Sequence, residues 1–235
     1  MRRSGTVPGV EDLLKVVGAT VAAVASLAAV ALAVDQFTLR ARLRKTEEWA
    51  VKALAAEIDG NRVPVLTDIR HDSTARIVAG LLVPVWFFAE GVVWAVAAPS
   101  AVAVTVQASG TSTGTAAAIT WVAFFALAFT FRPTVRHFLE RCRVASEYRR
   151  GLPVAEPKRG LLAAMEGGYR VEFVFAAGFS AGACALGLGV GLAVSGHDVD
   201  GWPLALMLLG GFSAYGVLDL LRVYARSRHP MRDPS

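Results

Sequence analysis

The chain has 235 residues, 54% of them hydrophobic, with a mean hydropathy of +0.49 and a formal net charge of +5. Such apolarity excludes an ordinary soluble domain, and two cysteines, Cys142 and Cys184, are too few for a disulfide framework or a clustered zinc site. Arg outnumbers Lys twenty to four, the usage expected of a GC-rich bacterial genome.

The first apolar run, residues 13–34, follows Glu11 and Asp12 and precedes the basic string TLRARLRK. Two acids are out of place in a signal-peptide n-region and the basic residues behind the run resist translocation, so an uncleaved membrane anchor is expected rather than a signal peptide. From Thr38 to Asp59 a helical pattern continues, with Leu43, Ala50, Leu54 and Ile58 near one face. Asp59-Gly60-Asn61 and Pro64 then predict a break, and Asp72, Ser73 and Thr74 offer caps for a second span.

That second span is read at 77–98, RIVAGLLVPVWFFAEGVVWAVAA counting Arg76. Its twenty-two residues rise about 33 Å, enough for a hydrocarbon core of about 30 Å. Glu90 then lies roughly 4 Å from mid-span, a depth no Lys or Arg reaches in the other runs. An ionised carboxylate there costs at least about 2.5 kcal/mol, so a protonated Glu90 is expected, hydrogen-bonded to Thr20, Thr120, Trp121, Cys184 or Ser213. Pro84 removes the hydrogen bond to the Gly80 carbonyl and predicts a kink below Glu90. Residues 101–115, uncharged and rich in Ser, Thr and Gly, read as a surface loop.

The third span is expected at 116–131, closed by Arg132-Pro133 and followed by a second basic amphipathic helix. A proline-containing linker leads to a glycine-rich fourth span, 171–195, and a short link makes the fifth, 202–221, its antiparallel neighbour. The organisation expected is one all-α domain over residues 1–235, a bundle of about five transmembrane helices with two basic amphipathic cytoplasmic helices.

Basic residues set the orientation. Eight Lys and Arg lie between Asp35 and Arg76, nine between Arg132 and Arg170 and four from Arg222 onward, against three in the N-terminal flank through Lys15 and none in the other two links. Positive charge stays inside, which predicts a cell-membrane protein with its N-terminus outside and its C-terminus cytoplasmic. Trp94, Trp121 and Trp202 are then expected near the outer ends of their spans.

Chemistry is sparse. Gly178-Phe179-Ser180-Ala181-Gly182 matches the G-x-S-x-G string of a hydrolase elbow, but it lies inside a membrane helix with no histidine at matching depth. Small residues at fourfold spacing point instead to close helix packing through Gly178, Gly182, Gly187, Gly189 and Gly191. No enzyme activity, cofactor or metal site is expected. Arg40, Arg42, Arg44 and Lys45, with Arg136, Arg141 and Arg143, form clusters directly against the membrane. Their position favours topogenesis or anionic lipid headgroups over nucleic acid. The function expected is a non-enzymatic membrane subunit or scaffold, homo-oligomeric or joined to other membrane chains through its glycine-rich helices. The alternative is a small proton- or cation-coupled transporter using Glu90.

Overall fold

The computed structural model describes residues 38–57, 60–108, 113–156, 169–195 and 201–229. The first apolar run, 13–34, lies outside them, and Thr20 with it. The described residues are helical without strands, and four helices are long and apolar enough to cross a membrane. Helix α1 covers residues 38–56, α2 Val63–Leu82, α3 Ala89–Ala108, α4 Thr113–Arg149, α5 Tyr169–Val194 and α6 Trp202–Arg228.

Helix α2 starts where the sequence suggested a break. Pro64 falls in its first turn, where the missing N–H has no intrahelical partner to lose. Asp72, Ser73 and Thr74 are therefore mid-helix rather than caps, and the Ser73 and Thr74 hydroxyls bond back to the Ile69 and Arg70 carbonyls. The stop comes twenty residues later and is sharper than a kink. Val83, disfavoured from helical geometry by the proline after it, leaves the helix at φ −123°, and Pro84 is extended at φ −67°, ψ 152°. A single 3-10 turn, Val85–Phe88, then restarts the chain into α3.

The candidate span is accordingly Val85–Gln107, not 77–98. The segment before the break is apolar for another reason: Ala75 and Ala79 pack against Val144 and Ala145 of α4. Residues 101–108, expected in a loop, complete α3, where the Thr105 hydroxyl bonds to the Ala101 carbonyl. Arg132-Pro133 does not end the third span either. Helix α4 runs through Pro133 for 37 residues, about 55 Å, so the second basic segment is its continuation and not a separate helix.

Helices α3 to α6 form an up-and-down bundle. On α4, Thr134 meets Gly91 and Leu127 clusters with Ala98, so α3 and α4 are antiparallel. Helix α5 returns along α4, stacking Phe179 on Phe131 at 4.2 Å, and α6 returns along α5, with Val217 against Gly178 and Met207 against Gly189. Gly187 and Gly191 lie on Pro99 and Ala103, making α5 parallel to α3. Leu127, Phe131, Val135, Ala176, Ala183 and Leu221 fill the centre.

Candidate functional site

The polar residues converge at one end of the bundle, where α3 and α5 begin and α4 and α6 leave the apolar layer. Arg132 Nε lies 3.3 Å from Glu172 Oε2, joining α4 to α5. Both side chains are nearly buried, 14% and 9% exposed. A pair this dry stands only while both charges remain, because either one alone keeps its desolvation cost without the compensating attraction. Neither residue stood out in the sequence as a site. The available signal was their opposite charge at two span ends that topology puts on the same side of the membrane.

Glu90 sits at this same level. Its neighbour Gly91 is so close to Thr134 that a β-carbon would overlap the threonine hydroxyl, and Thr134 is only two residues beyond Arg132. Glu90 is therefore near the charged edge of the bundle and not at mid-span, and its side chain is exposed. Thr120 and Trp121 lie about 20 Å further along α4, so these two of the partners expected from the 77–98 frame do not meet it. What Glu90 does occupy is the first turn of α3, where the helix dipole favours a carboxylate. Trp94 moves with it, toward the middle of the span Val85–Gln107, while Trp202 opens α6 at the opposite end and Trp86 marks the edge near Glu90.

One turn further out lies the broken junction. Pro84 has no N–H for the Gly80 carbonyl, and Arg40 of α1 supplies one: its Nη2 donates to that oxygen at 3.0 Å. Arg141 of α4 reaches the same glycine, its Nη2 3.2 Å from where a Gly80 β-carbon would be. Cations are favoured here, at the negative end of the α2 dipole. Stacked on this junction is His137, its ring 4.9 Å from that of Phe87.

Beyond the junction α2 and the end of α4 form a platform. Arg149 bridges Asp68 and Asp72 of α2, and Asp72 also holds Arg76 at 3.0 Å. Arg143 binds Glu140 at 2.8 Å and Glu147 at 2.7 Å and donates to the Ala155 carbonyl. Arg136 is half-buried, whereas Arg42, Arg44 and Lys45 are exposed on α1.

The glycines occupy two faces of α5. Added β-carbons at Gly182 and Gly189 would lie 2.7 Å from the Ala214 nitrogen and the Pro203 oxygen of α6, and one at Gly178 would lie 3.1 Å from Val217. Those at Gly187 and Gly191 would meet the Pro99 and Ala103 carbonyls of α3. Gly210 of α6, not singled out in the sequence, answers Gly182 with equally close backbone. Ser180, the serine of the G-x-S-x-G string, is fully buried and donates to the Ala176 carbonyl at 2.7 Å. Among the described residues no group of three or more His, Cys, Asp or Glu could hold a metal. No known protein-family model, curated protein or solved structure matches the chain.

Proposed function

We propose that the chain is a non-enzymatic membrane subunit or scaffold, with the basic end of its bundle in the cytoplasm. One observation carries this reading. Among the described residues, every buried side-chain nitrogen and oxygen has a hydrogen-bond partner within the chain, so the packed interior is closed upon itself as a rigid scaffold requires. A transport route usually sets several polar groups facing a cavity at depth. Glu90, exposed at the charged edge, supports an interfacial role more than a buried proton site. The glycine rows are closed against α3 and α6, which leaves assembly to the outer faces and the platform. On the platform side α1 presents Trp49, 53% exposed, beside its basic residues.

Affinity capture from mild detergent, with mass spectrometry of co-purifying chains, tests the proposal. A defined set of membrane partners at fixed stoichiometry is expected. A chain recovered alone, which drives pH-dependent ion flux in liposomes that Glu90→Gln abolishes, would replace it with the transport reading. The exposed Ser227→Cys, in a background lacking Cys142 and Cys184, should resist an impermeant thiol reagent on intact cells. Labelling would reverse the orientation.

A further inference from the structure

We infer that the broken junction between α2 and α3 binds the phosphate of an anionic phospholipid headgroup through Arg40 and Arg141. Three observations meet there. First, two guanidinium groups from helices distant in sequence converge on Gly80: Arg40 donates to its carbonyl at 3.0 Å, and Arg141 comes within 3.2 Å of its β-position. Each guanidinium is a planar fork of five N–H donors that matches phosphate oxygens, and the Gly80 carbonyl orients one edge of the Arg40 fork.

Second, the junction is at headgroup height. The apolar span starts at Val85, and the break exposes Leu81 at 60% and Trp86 at 64%. An exposed tryptophan at a span end is the ordinary neighbour of lipid headgroups. Third, the surroundings are cationic. Arg44 lies one turn along α1 from Arg40, Arg76 (paired with Asp72) lies one turn along α2 from Gly80, and Arg76, Arg141 and Arg226 all act electrostatically on the Cys142 thiol. The inference needs only membrane insertion and holds for a scaffold or a transporter alike.

The test exchanges the full chain into phosphatidylcholine nanodiscs with or without a minor fraction of phosphatidylglycerol, then reads retained lipid by native mass spectrometry. Phosphatidylglycerol should be retained in preference. Arg40→Gln and Arg141→Gln should each lower that preference about fivefold. Arg42→Gln, about 200° around α1 from Arg40, should leave it. Gly80→Leu keeps every charge but puts a side chain where the Arg141 fork lies, so it should also lower retention without relying on a charge-deleted fold. Three results would overturn the inference: no preference in the wild type, an equal loss from Arg42→Gln and Arg40→Gln, or wild-type retention by Gly80→Leu. Displacement of the lipid by inorganic phosphate would overturn it too, reassigning the site to a soluble anion.

Discussion

Helix α4 passes through two different kinds of packing, and its two halves show what each solvent demands. Before Arg132 its neighbours α3, α5 and α6 hold one another through glycines that bring backbone against backbone, as Gly182 does on Gly210 and Ala214. After Arg132 it meets α2 through alanines flanked by charge: Ala75 and Ala79 on Val144 and Ala145, with Arg149 on Asp68 and Asp72. Lipid tails are as apolar as the helices, so burying hydrocarbon there drives nothing, and close contact must supply the attraction. In water, apolar burial drives packing, and exposed ion pairs only add register. The Arg132–Glu172 pair lies at the boundary between the two.

If that contrast holds, the largest effect should come from the glycine faces. Gly182→Leu or Gly189→Leu must push α6 off α5, because the obstacles are backbone atoms that cannot rotate away. A loss of about 3 kcal/mol or more is expected, read as a lowered melting midpoint in detergent and unaffected by salt. Gly216 has nothing within 4 Å of its β-position, so Gly216→Ala should be neutral or stabilise by up to about 1 kcal/mol. Equal losses in all three variants would mean that the glycines act through helix propensity and not through contact.

Next comes the boundary pair. Glu172→Ala leaves the Arg132 guanidinium dry and unmatched by this carboxylate, at an expected cost of about 3 kcal/mol. Replacing both, as Arg132→Met with Glu172→Leu, should recover most of that. A double variant as weak as the single would show that Arg132 is held by its other contacts more than by Glu172.

The platform should yield less. Arg149→Ala removes both bridges to α2, but Asp68 and Asp72 are 38% and 27% exposed, so the loss should be about 1 kcal/mol. Hydrogen exchange should quicken in α2 and not in α3 or α5, and high salt should shrink the difference. Acceleration throughout the bundle would mean that platform and membrane layer unfold as one unit.

The same contrast explains what the sequence disclosed. Glycines at fourfold spacing and the carbonyl orphaned by Pro84 were legible because both are local backbone properties. Arg40 as the donor to Gly80 was not, since it comes from forty residues away. Nor was the start of the span. The apolar residues of α2 serve α4 in the platform, and hydropathy cannot tell a protein neighbour from lipid. Turn signals failed in the opposite direction. Ser, Thr and Gly after Pro99, and proline after Arg132, mark loops in water, whereas a membrane helix satisfies Thr105 on its own backbone and carries Pro133 within itself. Glu172 was invisible as a site because its importance comes from a partner on another helix.

The smallest effect is a titration. His229 ends α6 beside the platform, where burial lowers its pKa first and the Arg228 and Arg143 charges lower it further, against the opposing pull of Glu147 and Glu140. The folded chain thus holds this imidazole neutral below pH 6.5, where the unfolded chain has begun to take up a proton. Its contribution to stability is complete above the unfolded pKa and is lost as pH falls through the window down to the folded value. Melting midpoints of wild type and His229→Gln should run parallel from pH 7 to 8. Below pH 6.5 the wild type should drop by about 1 °C more than the variant. Because Arg143 is one source of the shift, Arg143→Gln should reduce that extra drop, though Arg143 also holds Glu140 and Glu147 in place. A wild type that gains stability on acidification relative to His229→Gln would mean that the two glutamates outweigh burial, and that the end of α6 is drawn to the carboxylates of the platform and not merely covered by it.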